Sequence, residues 1–225
     1  MADRTLDEAI EDLYVAFARY ERPTWLVGCD CCWEGEPSDD RPGYVRVCPP
    51  GGTQPLREVC FEELEQLATD ATGDDAGRLH YVPRILELLA ADSFDEPAVV
   101  LDRLVDTPEK KAIGRFLDAW WDDVLTRAPG DDRAGQALEA IERIDPDAEP
   151  KLARWAAFPH PNAAGHLLDF LERRAVPLAL GKLDARLAAW VRSEPLRSAV
   201  AVAADRARTP AEREALDELW LRWLT

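Results

Sequence analysis

Leu6, Ile10, Leu13, Tyr14 and Phe17 recur at intervals of three and four residues, the stripe of an amphipathic helix. Thr5 and Glu8 fit a capping box ahead of it: the hydroxyl accepts from one free main-chain N–H and the carboxylate from another. Arg22-Pro23 predicts its end, because the residue before a proline is pushed out of the helical region. The helical period then vanishes. Gly28, Gly35, Pro37, Pro42, Gly43, Pro49 and Pro50, followed by Gly51, Gly52 and Pro55, exclude a long regular element. Trp25-Leu26-Val27 and Tyr44-Val45-Arg46-Val47 read as short strands making at most a small hairpin.

From Cys60 onward the period of 3.6 returns. Phe61, Leu64 and Leu67 mark one helix, and Pro83 opens another over Arg84–Leu89 from a tolerated first-turn position. Val99–Leu104 reads as a short helix, and Thr107-Pro108 as the cap and first turn of a longer one carrying Ile113, Phe116, Trp120, Trp121 and Leu125. Further stripes cover roughly 134–144, 149–158, 162–175, 183–193 and 194–206, and Thr209-Pro210 repeats the cap-plus-proline signal before Leu216 and Leu219. The expected fold is all-α, an array of about nine or ten antiparallel helices. A HEAT-like solenoid is one form of it, although no motif recurs at a fixed period. Residues 1–225 read as one helical domain, with 23–59 as an irregular cysteine-rich insertion and a weak subdomain hinge near 128–133, at Pro129-Gly130-Asp131-Asp132.

Apolar residues at 47% and charged residues at 32% are the balance of a chain that buries a core. The net charge of −17 makes nucleic acid and anionic membrane poor partners, because both are bound through lysine and arginine. Residues 1–75 hold 18 acids against six arginines and no lysine, an excess of 12. A basic protein docking there would gain encounter rate and specificity. No run of about 18 apolar residues is present, and Met-Ala-Asp-Arg leads straight into a helix without a signal-peptide core, so a cytoplasmic location is expected.

Cys29, Cys31, Cys32, Cys48 and Cys60 all fall within 32 residues. In a reducing compartment such clustering points to metal more than to disulfides. Cys29 and Cys32 have the C-x-x-C spacing that lets two thiolates reach one zinc from a tight turn, and Cys48 and Cys60 are candidates for the remaining positions. Cys31 or His80 could substitute. No second C-x-x-C follows, and Cys60 also suits a helix cap, so structural or incidental thiols and a redox role stay open beside zinc. His80 and Glu87 are candidate catalytic residues, the imidazole as base or ligand and the carboxylate orienting it; the plainer reading is a helix start with an Arg84–Glu87 ion pair. His160 and His166 flank Pro161–Gly165 at a spacing that suggests a structural role. Nucleotide-binding, serine-hydrolase and zincin motifs are absent.

The cysteine pair in the loop, Pro55-Leu56-Arg57-Glu58-Val59 and His80-Tyr81-Val82-Pro83-Arg84-Ile85-Leu86-Glu87-Leu88 resemble a group of uncharacterised bacterial helical proteins with a His-Phe-Leu-Pro-Arg-Ile-Leu-Glu-Leu-like segment. Trp120-Trp121 and Leu152-Ala153-Arg154-Trp155 extend the resemblance, which implies an intact helical domain and transfers no activity. The expected function is a cytoplasmic interaction module whose acidic surface binds a basic protein, in an immunity- or inhibitor-like role. The alternatives are a zinc-dependent enzyme or a zinc-stabilised structural protein built on Cys29–Cys60.

Overall fold

A computed structural model describes residues 5–30, 34–39, 42–69, 75–91, 101, 104, 107–145, 147, 149–158, 160–179, 189–190, 192–206, 209–219 and 221. These residues are mostly helical but include a three-stranded sheet, which corrects the all-α expectation. The chain forms two compact units, Met1–Ala119 with Arg143–Asp145 and Trp120–Glu142 with Pro146–Thr225.

In the first unit, helix α1 (Leu6–Phe17) starts on the expected capping box: Glu8 N–H donates to Thr5 Oγ1 at 3.3 Å and Thr5 N–H to Glu8 Oε2 at 3.0 Å. Ala9, Leu13 and Phe17 are its buried face, and it packs on α4 (Val82–Ala90). Helix α4 buries seven of its nine residues and also receives α2 (Phe61–Thr69). The short α3 (Asp75–Leu79) precedes it.

Between α1 and α2 the strands β1 (Leu26–Cys29), β2 (Glu36–Pro37) and β3 (Tyr44–Val47) pair in the order β1-β3-β2, both ladders antiparallel. Leu26, Val45 and Val47 carry the apolar side. Two of the three strands were legible by alternation; β2 was not, because it is two residues long and contains a proline. An edge position tolerates Pro37, since its missing N–H leaves the ladder to one neighbour. Gly35 ahead of it lies so close to β3 that an added Cβ would meet the Arg46 carbonyl.

The first unit includes α5 (Lys110–Thr126) as far as Ala119, and it also takes in Arg143–Asp145. Thr107 does not cap this helix by its side chain: the hydroxyl donates backwards to the Leu104 carbonyl at 3.3 Å. In the second unit follow α6 (Arg133–Ile144, up to Glu142), α7 (Glu149–Ala157), α8 (Pro161–Ala179), α9 (Glu194–Arg206) and α10 (Pro210–Leu219). Proline stands at the first or second position of α4, α7, α8, α9 and α10, where no helical N–H is lost. Helix α8 continues four residues beyond the expected end, through Pro177. Most of the segments expected as helices at 99–104 and 183–193 lie outside the described residues, Leu101 and Leu104 being described and buried.

The core of the second unit is aromatic. Trp155 meets Trp121 edge-on at 5.3 Å and Phe170 edge-on at 5.4 Å, and lies tilted against Trp190 at 5.5 Å. Each such pair contributes about 0.5–1.5 kcal/mol beyond area burial. The indole N–H of Trp121 donates to the Lys151 carbonyl at 3.0 Å and that of Trp155 to the Ala163 carbonyl at 2.9 Å, so neither buried donor is wasted.

Candidate functional site

The acidic first third, its cysteines and the start of α4 all belong to the first unit. Four arginines of this acidic third are already engaged. Arg19 pairs with buried Glu109, and Arg46 with Asp39 at 3.6 Å. Arg57 pairs with Glu11 at 2.7 Å while its guanidinium lies 4.1 Å from the centre of the Tyr14 ring. Arg22 meets no carboxylate: it donates to the carbonyls of Gly51, Gly52 and Gln54, the last at 2.8 Å. Asp7, Glu21, Glu34, Glu36 and Glu58 are exposed, and among the described residues no ion pair reaches them.

Arg22 is also what orders the end of the cysteine loop. Its fork closes over a turn in which Gln54 N–H donates to the Gly51 carbonyl at 2.9 Å and Gly51 takes a φ of 73°. Tyr81 donates to the Pro50 carbonyl at 3.2 Å, and the Gln54 amide donates to Glu63 at 2.9 Å. The sequence suggested only a helix stop at Arg22-Pro23; nothing in it marks an arginine that captures carbonyls 30 residues away.

Two of the four expected metal positions, Cys29 and Cys48, separate along the sheet. Cys29 faces Tyr44 across the ladder, whereas Cys48 follows Val47 at the far end of β3. At about 3.3 Å per residue the two are 10 Å or more apart along the strands, and a zinc ion needs both sulfurs within about 2.3 Å. A zinc on Cys29 therefore has Cys48 out of reach. Cys60 is an exposed free thiol in a capping arrangement, its N–H donating to Glu63 Oε2 at 3.2 Å and its Sγ 3.4 Å from the same oxygen. The Glu63 main-chain N–H favours the Cys60 thiolate, but the Glu62 carboxylate, desolvation and the Glu63 carboxylate outweigh it and raise the thiol above its ordinary range. That is the opposite of what a redox-active cysteine requires. Cys31, Cys32 and the Cys29 side chain lie outside the described residues. Among the described residues no three histidine, cysteine or acidic side chains stand together as a metal site.

His80 and Glu87 have different partners. His80 Nδ1 bonds the Tyr20 carbonyl at 2.9 Å, which makes Nδ1 the protonated nitrogen and leaves Nε2 buried without a partner. Burial lowers its pKa, the Tyr20 carbonyl raises it and the Arg22 charge lowers it again. Glu87 instead accepts from Tyr14 Oη at 2.7 Å and from Arg84 at 2.8 Å, while Arg84 Nε donates to the Val59 carbonyl at 2.9 Å. Glu87 thus ties α4 to α1 and does not orient His80. Burial and the Glu87 carboxylate push the Tyr14 hydroxyl far above its ordinary value, so it acts as a donor throughout the working pH range.

No protein-family model, no curated protein and no solved structure matches this chain.

Proposed function

We propose that the chain is a cytoplasmic interaction module whose acidic first third docks a basic protein partner, in the manner of an inhibitor or immunity protein. The observation that carries this reading is that Arg19, Arg22, Arg46 and Arg57 are each engaged by other groups, while among the described residues no ion pair reaches the exposed Asp7, Glu21, Glu34, Glu36 and Glu58. An unpaired acidic face raises the encounter rate with a cationic partner and repels acidic ones. Among the described residues no helix is long and apolar enough to cross a membrane.

The test is capture of partners by the intact chain at low and high salt, repeated with Asp7→Asn, Glu34→Gln, Glu36→Gln and Glu58→Gln combined. The reading requires a specific basic partner whose association slows with added salt and with the four substitutions. Absence of a specific partner, or capture indifferent to both changes, overturns it.

A further inference from the structure

Helix α8 reaches back to the turn that joins α5 to α6 through three side chains. Asn162 Nδ2 donates to the Thr126 carbonyl at 2.8 Å, His166 Nε2 bonds the Arg127 carbonyl at 3.1 Å, and Asp169 accepts the Asp132 N–H at 2.7 Å. Gly165 makes the close approach possible, since an added Cβ would lie 2.6 Å from Pro129. The last carbonyls of α5 have no intrahelical donor, so Asn162 and His166 supply what the helix cannot. The turn needs these ties. Asp131 and Asp132 both take φ of 55°, a left-handed conformation that is strained for a residue with a side chain.

A carbonyl can only accept, so the His166 nitrogen facing Arg127 carries the proton. The other nitrogen, Nδ1, is then the lone-pair atom of a neutral ring, and it is buried without a partner in a residue only 1% exposed. We propose that His166 is an acid-sensitive latch: neutral, it holds the 127–132 turn on α8, and a second proton on Nδ1 releases that turn. The added proton would arrive on a nitrogen that has no hydrogen-bond partner among the described residues, and it brings a full charge into the interior, which a packed site relieves by opening.

The charges around the ring do not supply the missing partner. Asp169, one turn along α8, faces it but is engaged by the Asp132 N–H and by Arg173 at 3.0 Å. Arg133 at the start of α6 adds positive charge, and the Arg127 side chain at the end of α5 is paired with Asp123 at 2.6 Å. Helices α9 and α10, which pack on α8, add no facing charge among the described residues. Burial lowers the His166 pKa, against the opposing pull of the Arg127 and Val124 carbonyls and Asp169. The stabilisation from the neutral ring is complete above about pH 6.5 and is lost as pH falls below it.

The experiment is amide hydrogen exchange of residues 127–132 in the intact chain, corrected for the intrinsic pH dependence, from about pH 7.5 to about pH 5. His166→Gln serves as comparison, because its side-chain amide replaces the Nε2–H donor and takes no proton. Protection of the turn should fall about tenfold or more in the unaltered chain and stay level in the variant. The ring itself is followed by nitrogen NMR, where the Nε2–H form should persist below the usual histidine range and proton uptake should coincide with loss of turn protection. Protection that ignores pH, an equal fall in His166→Gln, or a doubly protonated ring with the turn intact each overturns the latch. If His166→Gln does not fold, the ring measurement decides alone.

Discussion

Gly165 and Pro129 are packed so closely that a methyl group on the glycine would lie 2.6 Å from the proline Cγ. In most helices Gly→Ala stabilises, by about 1 kcal/mol. Here the sign reverses, because the proline ring is rigid and the turn carrying it is held at Thr126, Arg127 and Asp132. Gly165→Ala should lower stability by about 1–3 kcal/mol in denaturant titration. Pro129→Ala should recover much of that in the double variant, and strict additivity would contradict the contact.

Tyr14 and Glu87 form a second testable pair. Tyr14→Phe removes one charge-assisted hydrogen bond and should cost about 1–2 kcal/mol. Glu87→Ala should cost more, because it also strands the Arg84 guanidinium, which reaches Val59 through Nε alone. A double-mutant cycle should show coupling of about 1 kcal/mol, whereas independent effects would mean that the bond at 2.7 Å is not formed in solution.

Acid should weaken the first unit through His80. Its folded-state pKa lies below the ordinary value, so the stability it supports is present above about pH 6.5 and drains away below it. His80→Asn keeps a donor for the Tyr20 carbonyl but cannot take a proton. Its denaturation midpoint should therefore depend less steeply on pH between about 7.5 and 5.5. Identical slopes for the two proteins would remove His80 from the account.

Cys60 should alkylate more slowly than a small free thiol at neutral pH, despite being exposed. Glu62→Gln removes a carboxylate that opposes the thiolate and should speed the reaction. Fast labelling of Cys60 in the unaltered chain would reopen a redox role for it.

The helices were legible wherever local chemistry announced them. Thr5 with Glu8 gave a true capping box, and Pro83, Pro161 and Pro210 sit in the opening turns their sequence context suggests. What was not legible depends on groups distant in the chain. The strand at Glu36–Pro37 has no periodicity of its own and exists because β3 offers it an edge. Arg22 reads as punctuation until its three carbonyl partners come together. Cys29 and Cys48 look like neighbours in a cluster, yet register puts them at opposite ends of a ladder, and spacing along a chain carries no information about register. His80 and Glu87, seven residues apart on the chain, divide between a carbonyl of the segment after α1 and a tyrosine of α1.

The strand order has a consequence for how the chain is made. Among the described residues β3 is the last strand to be synthesised and the only one with two neighbours. Until Tyr44–Val47 has left the ribosome, β1 and β2 have no template, and the apolar Leu26-Val27 stretch waits as an open edge. Nascent chains truncated shortly before Tyr44 should therefore be the ones that chaperones hold longest, and those extended past Val47 should be released.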